Sequence, residues 1–279
     1  MSILTFWNGT KEQCGNTASA LALATYMAIE RNIKILFVST DFKDYSIEDS
    51  FWKQKNNNFL GMFGGKPSVI SQGGIEGLDR IIRSNKLTPE IITDYSRIVL
   101  KNRLELLLGV NSSEAQYEEV RGKYPSIIHL ADKYYDLVIV DLNPKLGFTI
   151  QEDILKKSDV IIGMIPQKLK EIEKVIDKMK KNAYIREKTI LTIGKYDDRT
   201  KYNAKNISRN ILKQKNIINT IPYNSLYFEA MQEGRVIDVF LNFLRLTDMD
   251  KNFEFISELK RLAEDVKEKI RMAPRKREL

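Results

Sequence analysis

The stretch that decides the fold is residues 3–31, ILTFWNGTKEQCGNTASALALATYMAIER. An apolar run typical of a buried strand leads into a turn that contains Gly15 and Thr17, and a long helical pattern follows. A strand, a glycine turn and a helix in this order form the outline of a phosphate-binding loop. The lysine expected after the last glycine is absent, because position 16 is an asparagine. The stretch therefore predicts the scaffold of a phosphate site and leaves its chemistry open.

Apolar runs alternate with amphipathic stretches along the rest of the chain, at the spacing of strand and crossover-helix units. Most strand runs are continuously apolar, which indicates a sheet covered on both faces. We therefore predict an α/β fold, a mostly parallel twisted β-sheet flanked by helices on both faces. The predicted strands are 2–7, 34–40, 104–109, 135–142, 159–165, 188–194 and 218–223. The predicted helices are 17–31, 75–83, 112–133, 167–182, 203–215, 225–244 and 252–270, and the Asn- and Gly-rich segment 53–74 is predicted to leave the core.

The composition fits an ordinary globular domain, with 279 residues of which 43% are hydrophobic and 29% charged. We expect one α/β domain over residues 1–250, with a C-terminal helix and basic tail, residues 251–279, packed on it. No apolar run reaches about 18 residues and the N-terminus has no basic start, so neither a membrane span nor a signal peptide is predicted. A single cysteine and a single histidine leave no zinc cluster to propose. We expect a cytoplasmic protein.

The formal net charge of +8 allows contact with an acidic surface, either DNA bound non-specifically or an anionic membrane. The alternative is that the lysines are solvated, as in the lysine-rich stretch 167–188. The C-terminal helix carries an apolar stripe, but its polar face also holds acidic residues that would meet an anionic lipid surface unfavourably. We therefore expect this helix to pack on the domain, while the basic tail after Pro274 leaves a peripheral position at the membrane open.

Two strand-end carboxylates strengthen the case for a phosphate site. In a phosphate-binding loop, backbone N–H groups and a helix N-terminus converge on an anion, a lysine reaches the terminal phosphates and a Ser or Thr hydroxyl reaches Mg²⁺. Asp41 and Asp141 each follow an apolar strand, and ligands of open parallel sheets bind at the carboxyl ends of strands. Such aspartates can also simply cap turns. Two of them together with the loop favour a nucleotide site.

With these features the sequence resembles the ParA/MinD family of P-loop ATPases, whose loop reads KGGxGKT. The resemblance covers residues 2–245 and rests on KEQCGNT (11–17), LFVSTDF (36–42), YDLVIVDLNPKLG (135–147) and IPYNSLYFEAMQEGRVIDVFL (221–241). In character the chain is similar to the MinD-like proteins that localise pilus or secretion machinery.

The resemblance implies a role for each matching residue. Lys11 matches the signature lysine that reaches the partner's phosphates across a dimer interface, and Asp41 matches the acidic residue that positions the attacking water; these two are the implied catalytic residues. Thr17 and Asp141 are the implied Mg²⁺ ligands, and Pro144 and Gly147 fall in the loop that senses the terminal phosphate. The residues implied to contact ATP or ADP are Lys11, Gly15, Asn16, Thr17, Ala18, Pro222 and Tyr223.

The departures from the family pattern are equally informative. Asn16 carries no charge, and losing a cation beside the γ-phosphoryl group removes electrostatic stabilisation of phosphoryl transfer, so hydrolysis should be slow or absent. Glu12 and Gln13 replace glycines of the tight loop, where positive φ favours glycine and a carboxylate repels phosphate. Gly194 stands where the family usually has an adenine-reading asparagine.

These features together predict a nucleotide-responsive positioning or partitioning factor, a weak or inactive ATPase that forms a nucleotide-linked homodimer. Its partner would be a protein of a membrane-associated or DNA-partitioning machine. The alternative is a nucleotide-independent scaffold, a pseudo-ATPase in a pilus, secretion or conjugation assembly. A third reading is an active ATPase in which Lys11 substitutes for the missing cation.

Overall fold

The computed structural model describes residues 1–10, 12–52, 73–84, 86–212 and 218–273. Four sequence predictions lie outside these residues: the roles of Lys11, most of the segment 53–74, the end of the helix 203–215 and the basic tail from Pro274.

One sheet of eight strands organises the described residues. The strands are β1 (Ser2–Asn8), β2 (Ile35–Ser39), β3 (Arg97–Leu100), β4 (Leu104–Leu107), β5 (Leu137–Leu142), β6 (Val160–Ile165), β7 (Thr189–Tyr196) and β8 (Asn219–Pro222). They lie in the order β3-β4-β2-β5-β1-β6-β7-β8. All neighbours are parallel except the edge pair, in which β3 runs antiparallel to β4. The predicted fold class, a mostly parallel sheet flanked by helices, is confirmed.

Helices connect the strands along the chain and continue after β8. They are α1 (Asn16–Glu30), α2 (Ser46–Asp49), α3 (Gly74–Arg83), α4 (Ile91–Tyr95), α5 (Glu114–Val120), α6 (Tyr124–Ala131), α7 (Phe148–Lys157), α8 (Leu169–Lys181), α9 (Ala183–Lys188), α10 (Ala204–Asn206), α11 (Ser225–Glu233), α12 (Val236–Phe243) and α13 (Phe253–Met272). A 3₁₀ turn over Arg121–Lys123 joins α5 to α6, and a π-helical segment over Ile207–Leu212 follows α10. Among the described residues, no helix is both long enough and apolar enough to cross a bilayer.

The sheet separates two apolar cores, which explains why its strands are apolar at consecutive positions. Successive side chains of a strand point to opposite faces. In β1, Leu4 and Phe6 join the core that contains α1, α11, α12 and α13, whereas Ile3 and Trp7 join the core that contains α6, α7 and α8. Side chains on both faces of β1 are therefore packed, and the loop that follows β1 begins at a well-packed strand end.

The helix α13 is part of the first core. Leu259, Leu262 and Val266 of its apolar stripe are fully buried. Two acidic residues of its polar face contact the rest of the domain. The Arg31 side chain donates to Glu264 at 2.8 Å, and the Asn219 side chain donates to Asp265 at 2.7 Å. These carboxylates therefore anchor the helix to the sheet and to α1.

Several predicted helix boundaries were wrong. The helix predicted over 225–244 is two helices, because Gly234 adopts a left-handed φ of 68° and ends α11. The helix predicted over 112–133 is likewise interrupted by the 3₁₀ turn, just before Pro125 at the start of α6. The edge strand β3 and the helix α7 were not predicted.

Candidate functional site

The loop between β1 and α1 is organised by a side chain from the strand end. The Oδ1 atom of Asn8 accepts hydrogen bonds from the backbone N–H of Thr10 at 3.0 Å and from its hydroxyl at 3.1 Å, and Nδ2 donates to the Glu12 carbonyl at 2.6 Å. At the other end of the loop, Gly15 has a φ of 77°, a left-handed conformation that favours glycine, and it caps the N-terminus of α1. The described residues on both sides of position 11 are thus held by the Asn8 side chain and by the left-handed turn at Gly15.

The two departures inside this loop, Glu12 and Gln13, lie at the protein surface. The Glu12 carboxylate forms an ion pair with Lys168 at 2.7 Å, and Gln13 is exposed to solvent. Because both partners of the ion pair are largely exposed, it stabilises the fold only weakly. The ion pair matters mainly for electrostatics, because the Lys168 cation offsets the Glu12 charge that was expected to repel phosphate.

Asn16 contacts Asp141, the carboxylate that the family resemblance implies as a Mg²⁺ ligand. Its Nδ2 atom donates a hydrogen bond to Oδ1 of Asp141 at 2.5 Å. The opposite atoms of the pair, Oδ1 of Asn16 and Oδ2 of Asp141, are buried without a hydrogen-bond partner among the described residues. Asp141 is almost completely buried, and burial raises its pKa to about 7, with a further increase from the charge of Asp41 and opposing contributions from the nearby Thr17 and Asn16 side chains.

Asp41 lies at the end of the neighbouring strand and is tied to the chain after β5. The Asn143 amide donates a hydrogen bond to Oδ1 of Asp41. The Thr40 hydroxyl donates to the Asp141 carbonyl at 2.9 Å and accepts from the Asn143 backbone N–H at 2.8 Å, which joins the two strand ends. Burial raises the pKa of Asp41 to about 6, and the charge of Asp44 acts in the same direction.

A lysine that sequence analysis did not single out extends over the loop. Lys195 lies near the end of β7, where the pairing with β8 shifts register between Gly194 and Tyr196. Its φ is 51°, a left-handed value that is uncommon for a residue other than glycine. A Cβ atom placed on Gly15 would lie 3.2 Å from Cγ and 3.4 Å from Cε of Lys195. The Lys195 side chain therefore runs along the surface of the phosphate loop.

The cleft beside the loop, where the resemblance places the base, is narrow. It is lined by Ala18, Pro222 and Phe228 and encloses about 10 Å³, room for about one water molecule. Tyr227 also lines this cleft, and its hydroxyl donates to the Ala18 carbonyl at 2.7 Å. Tyr223 is 59% exposed and stacks on Phe228, with 4.8 Å between ring centroids.

Gly194 has a structural reason to be glycine. A Cβ atom on it would lie 2.1 Å from the carbonyl oxygen of Cys14, far inside contact distance. The backbone of β7 therefore supports the phosphate loop at this point. Gly194 stands where the resemblance expects an adenine-reading asparagine, and here it packs against the phosphate loop.

The predicted site residues form three groups. Asn16, Thr17 and Asp141 meet at one point beside Gly15, and Asp41 lies close enough to influence the pKa of Asp141. Ala18 and Pro222 line the narrow cleft, whereas Tyr223 lies exposed outside its lining. Lys11 lies outside the described residues. The catalytic, nucleotide-binding and metal-binding roles of these residues stay predictions.

Sequence analysis missed three residues that shape this corner, namely Asn8, Asn143 and Lys195. Each is a polar residue at or just after the carboxyl end of a strand, on the sheet edge where ligands of such folds bind. Polar residues at those positions were therefore a usable signal for Asn8 and Asn143. No sequence signal indicates the direction of Lys195, because it depends on a shift in strand register.

The arrangement fits magnesium and phosphate better than it fits a base. Mg²⁺ is usually held by one or two carboxylates together with substrate phosphates, and the buried, unpartnered Oδ2 of Asp141 is such an acceptor. The glycine turn and the first turn of α1 provide backbone N–H groups for a phosphate. The cleft, in contrast, must widen before a purine can enter.

Comparison with known proteins identifies the fold. No protein-family model and no curated protein sequence matches the chain. Among solved structures, a ParA family ATPase from Chlorobium tepidum is similar over 94% of this chain and 98% of its own, with a TM-score of 0.69 and 14% identity. A putative plasmid partition protein from Borrelia burgdorferi bound to AMPPNP is similar over 96% and 99%, with a TM-score of 0.63 and 19% identity.

A third similar structure is the septum site-determining protein MinD from Pyrococcus horikoshii complexed with Mg-ADP, which matches over 95% of both chains with a TM-score of 0.62 and 14% identity. The chain therefore has the ParA/MinD fold of P-loop NTPases, as the resemblance implied.

Proposed function

We propose that this protein is a nucleotide-responsive positioning or partitioning factor that binds ATP or ADP with Mg²⁺ and hydrolyses ATP slowly or not at all. Thr17 and Asp141 would hold the metal, the loop from Gly15 into α1 would hold phosphate, and Asp41 would orient water. The metal supplies charge neutralisation at the phosphates when it is bound. Nucleotide-linked homodimerisation, through Lys11, would connect binding to assembly.

The observation that carries this proposal is the Asn16–Asp141 hydrogen bond at 2.5 Å. The bond keeps a strand-end carboxylate beside the phosphate loop, which is the arrangement that a magnesium nucleotide requires. Asn16 is also a neutral amide where the family has a cation, so the charge that would stabilise a transferring phosphoryl group is missing from the loop. Binding without efficient turnover follows from this combination.

Two similar structures support nucleotide as the ligand, because one contains AMPPNP and the other Mg-ADP. A plasmid partition protein and a septum site-determining protein are among them, which supports a positioning or partitioning role.

A second candidate is a scaffold that works without nucleotide. The narrow cleft favours it, since about 10 Å³ is far below the several hundred Å³ of ordinary ligand pockets. In that case the loop would be a structural remnant, and the protein would act only through its surfaces in a pilus, secretion or conjugation assembly.

Binding of fluorescent ATP and ADP, with and without Mg²⁺, separates the two candidates. We expect weak, Mg²⁺-assisted binding to the wild-type protein and negligible turnover. Asn16→Lys should tighten binding by about tenfold, because it restores a cation beside the phosphates. Asn32→Lys, at an exposed turn beyond the other end of α1, adds the same charge and should change nothing.

The outcomes are distinct. Rapid Mg²⁺-dependent hydrolysis by the wild-type protein would contradict the weak-ATPase proposal. If neither the wild-type protein nor Asn16→Lys binds nucleotide, the scaffold takes its place.

A further inference from the structure

Lys195 combines two backbone features that are uncommon for an exposed lysine. The first is the shift in register between β7 and β8 around it, a local irregularity that re-aims a side chain at the end of a strand. The second is its left-handed φ of 51°, which is unfavourable for a residue with a Cβ atom. Both features turn the side chain toward the phosphate loop.

The ammonium group of Lys195 has no ionic partner among the described residues. The nearest acidic residue of the loop, Glu12, is paired with Lys168. The Cys14 thiol beneath it stays neutral, since burial raises its pKa to about 12. The Lys195 side chain thus lies along the loop, and no acidic residue in the described part of the chain forms an ion pair with it.

We infer that Lys195 supplies the positive charge that the phosphate loop lacks at position 16, so that a phosphate group bound at Gly15 is held from β7 instead of from α1. This inference rests on the proposed function, and it assigns to that site a residue that the family motif does not contain. The side chain also lines the narrow cleft beside Pro222, so it reaches the border between the phosphate and base positions.

The geometry explains why Gly15 and Lys195 belong together. A Cβ atom on Gly15 would lie 3.2 Å from Cγ and 3.4 Å from Cε of Lys195, so the lysine would have to shift slightly, and the left-handed φ of Gly15 already favours glycine. The open surface of this glycine is what allows the lysine to lie flat on the loop. An exposed lysine is also mobile enough to adjust when the cleft widens for a base.

The test compares Lys195→Met, which keeps the length of the side chain without its charge, with Lys195→Arg, which keeps the charge. Lys43→Met is the matched control, because Lys43 is also exposed and also has a left-handed φ, 54°, but lies after β2. Binding of ATP, adenosine and inorganic tripolyphosphate is measured by calorimetry at two salt concentrations. Thermal unfolding of each variant verifies that it is folded.

We expect Lys195→Met to weaken ATP and tripolyphosphate binding by about tenfold or more, the loss of one charge-assisted hydrogen bond. It should also reduce the salt dependence and leave adenosine binding unchanged. Lys195→Arg should bind ATP nearly as well as the wild-type protein, and Lys43→Met should be unaffected.

Each contrary result has its own meaning. If the wild-type protein binds ATP and Lys195→Met binds it equally well, this inference fails while the proposed function stands. Equal losses in Lys195→Met and Lys43→Met would show only an effect of net charge and would overturn it, as would a loss of adenosine affinity equal to that of ATP. If the wild-type protein binds none of the three probes, both the inference and the proposed function fall.

Discussion

At the scale of single residues, the neutral Asn16 in place of the family's lysine changes the ionisation of its neighbour Asp141. An ammonium group at this position would stabilise the ionised form of Asp141. The amide of Asn16 gives one hydrogen bond and no charge, and the buried carboxyl consequently has a pKa of about 7. Metal ligands must be deprotonated, so Mg²⁺ binding at Asp141 should release protons and become stronger as pH rises through neutrality.

The same carboxyl should make folding stability depend on pH. Its pKa is near 3.8 when unfolded and about 7 when folded, so the folded state binds the proton more tightly. Stability should therefore fall as pH rises between these values and level off above them. Asp141→Asn removes this cost, and we expect it to be more stable than the wild-type protein by a few kcal/mol at pH 8 but not at pH 4.

Urea unfolding of both proteins from pH 4 to pH 8 measures this difference. Asp153→Asn, on the exposed side of α7, provides the control and should follow the wild-type pH curve. A stability difference between Asp141→Asn and the wild-type protein that does not change with pH would show that the carboxyl is not buried as described.

At the scale of elements, the backbone of β7 approaches the phosphate loop too closely at Gly194 for a side chain to fit between them. Gly194→Ala would drive a methyl group to 2.1 Å from the Cys14 carbonyl oxygen, so backbone has to move. We expect the free energy of unfolding to fall by about 1–3 kcal/mol, the usual cost of overpacking. Gly122→Ala is the control, because a Cβ atom there meets nothing within 4 Å.

Denaturant unfolding of the two alanine variants tests the contact directly. We expect Gly122→Ala to lie within about 0.5 kcal/mol of the wild-type protein, as surface substitutions usually do. Equal stabilities for Gly194→Ala and Gly122→Ala would mean that the loop rests on β7 much more loosely than the structure indicates.

The elements also show what a sequence can and cannot predict. The buried parallel strands are apolar at consecutive positions, and their ranges were predicted to within about two residues, as for β1 and β8. The edge strand β3 was missed because it is four residues long and only half buried. The phosphate loop was predicted from its glycine turn together with the strand-end carboxylates and the family resemblance. The Asn16–Asp141 bond was not predicted, because it joins residues 125 positions apart and follows only from the strand order.

At the scale of the whole molecule, the predicted assembly is a homodimer that forms when nucleotide binds. Lys11 carries this prediction, through the family resemblance in which that lysine reaches the phosphates of the partner. ATP should therefore increase the sedimentation coefficient of the wild-type protein, and Lys11→Ala should abolish the increase without changing the fold. Lys180→Ala, on the exposed side of α8, removes the same charge and should behave like the wild-type protein.

Sedimentation velocity with and without ATP and Mg²⁺ gives the result. Coefficients that do not change with nucleotide for either protein would argue against a nucleotide-linked dimer. An increase that survives in Lys11→Ala would show that the dimer forms through another surface.

The position of α13 also sets the order in which the chain can reach its native state. Residues 253–272 complete the core around α1, which is made from residues 16–30. During synthesis, the apolar face of α1 must therefore wait for more than 200 residues of later chain before its final partner leaves the ribosome. Domains whose contacts join distant parts of the chain fold slowly and expose apolar surface meanwhile. Part of the apolar face of α1, the helix that begins the phosphate site, therefore stays uncovered until the last helix has been synthesised.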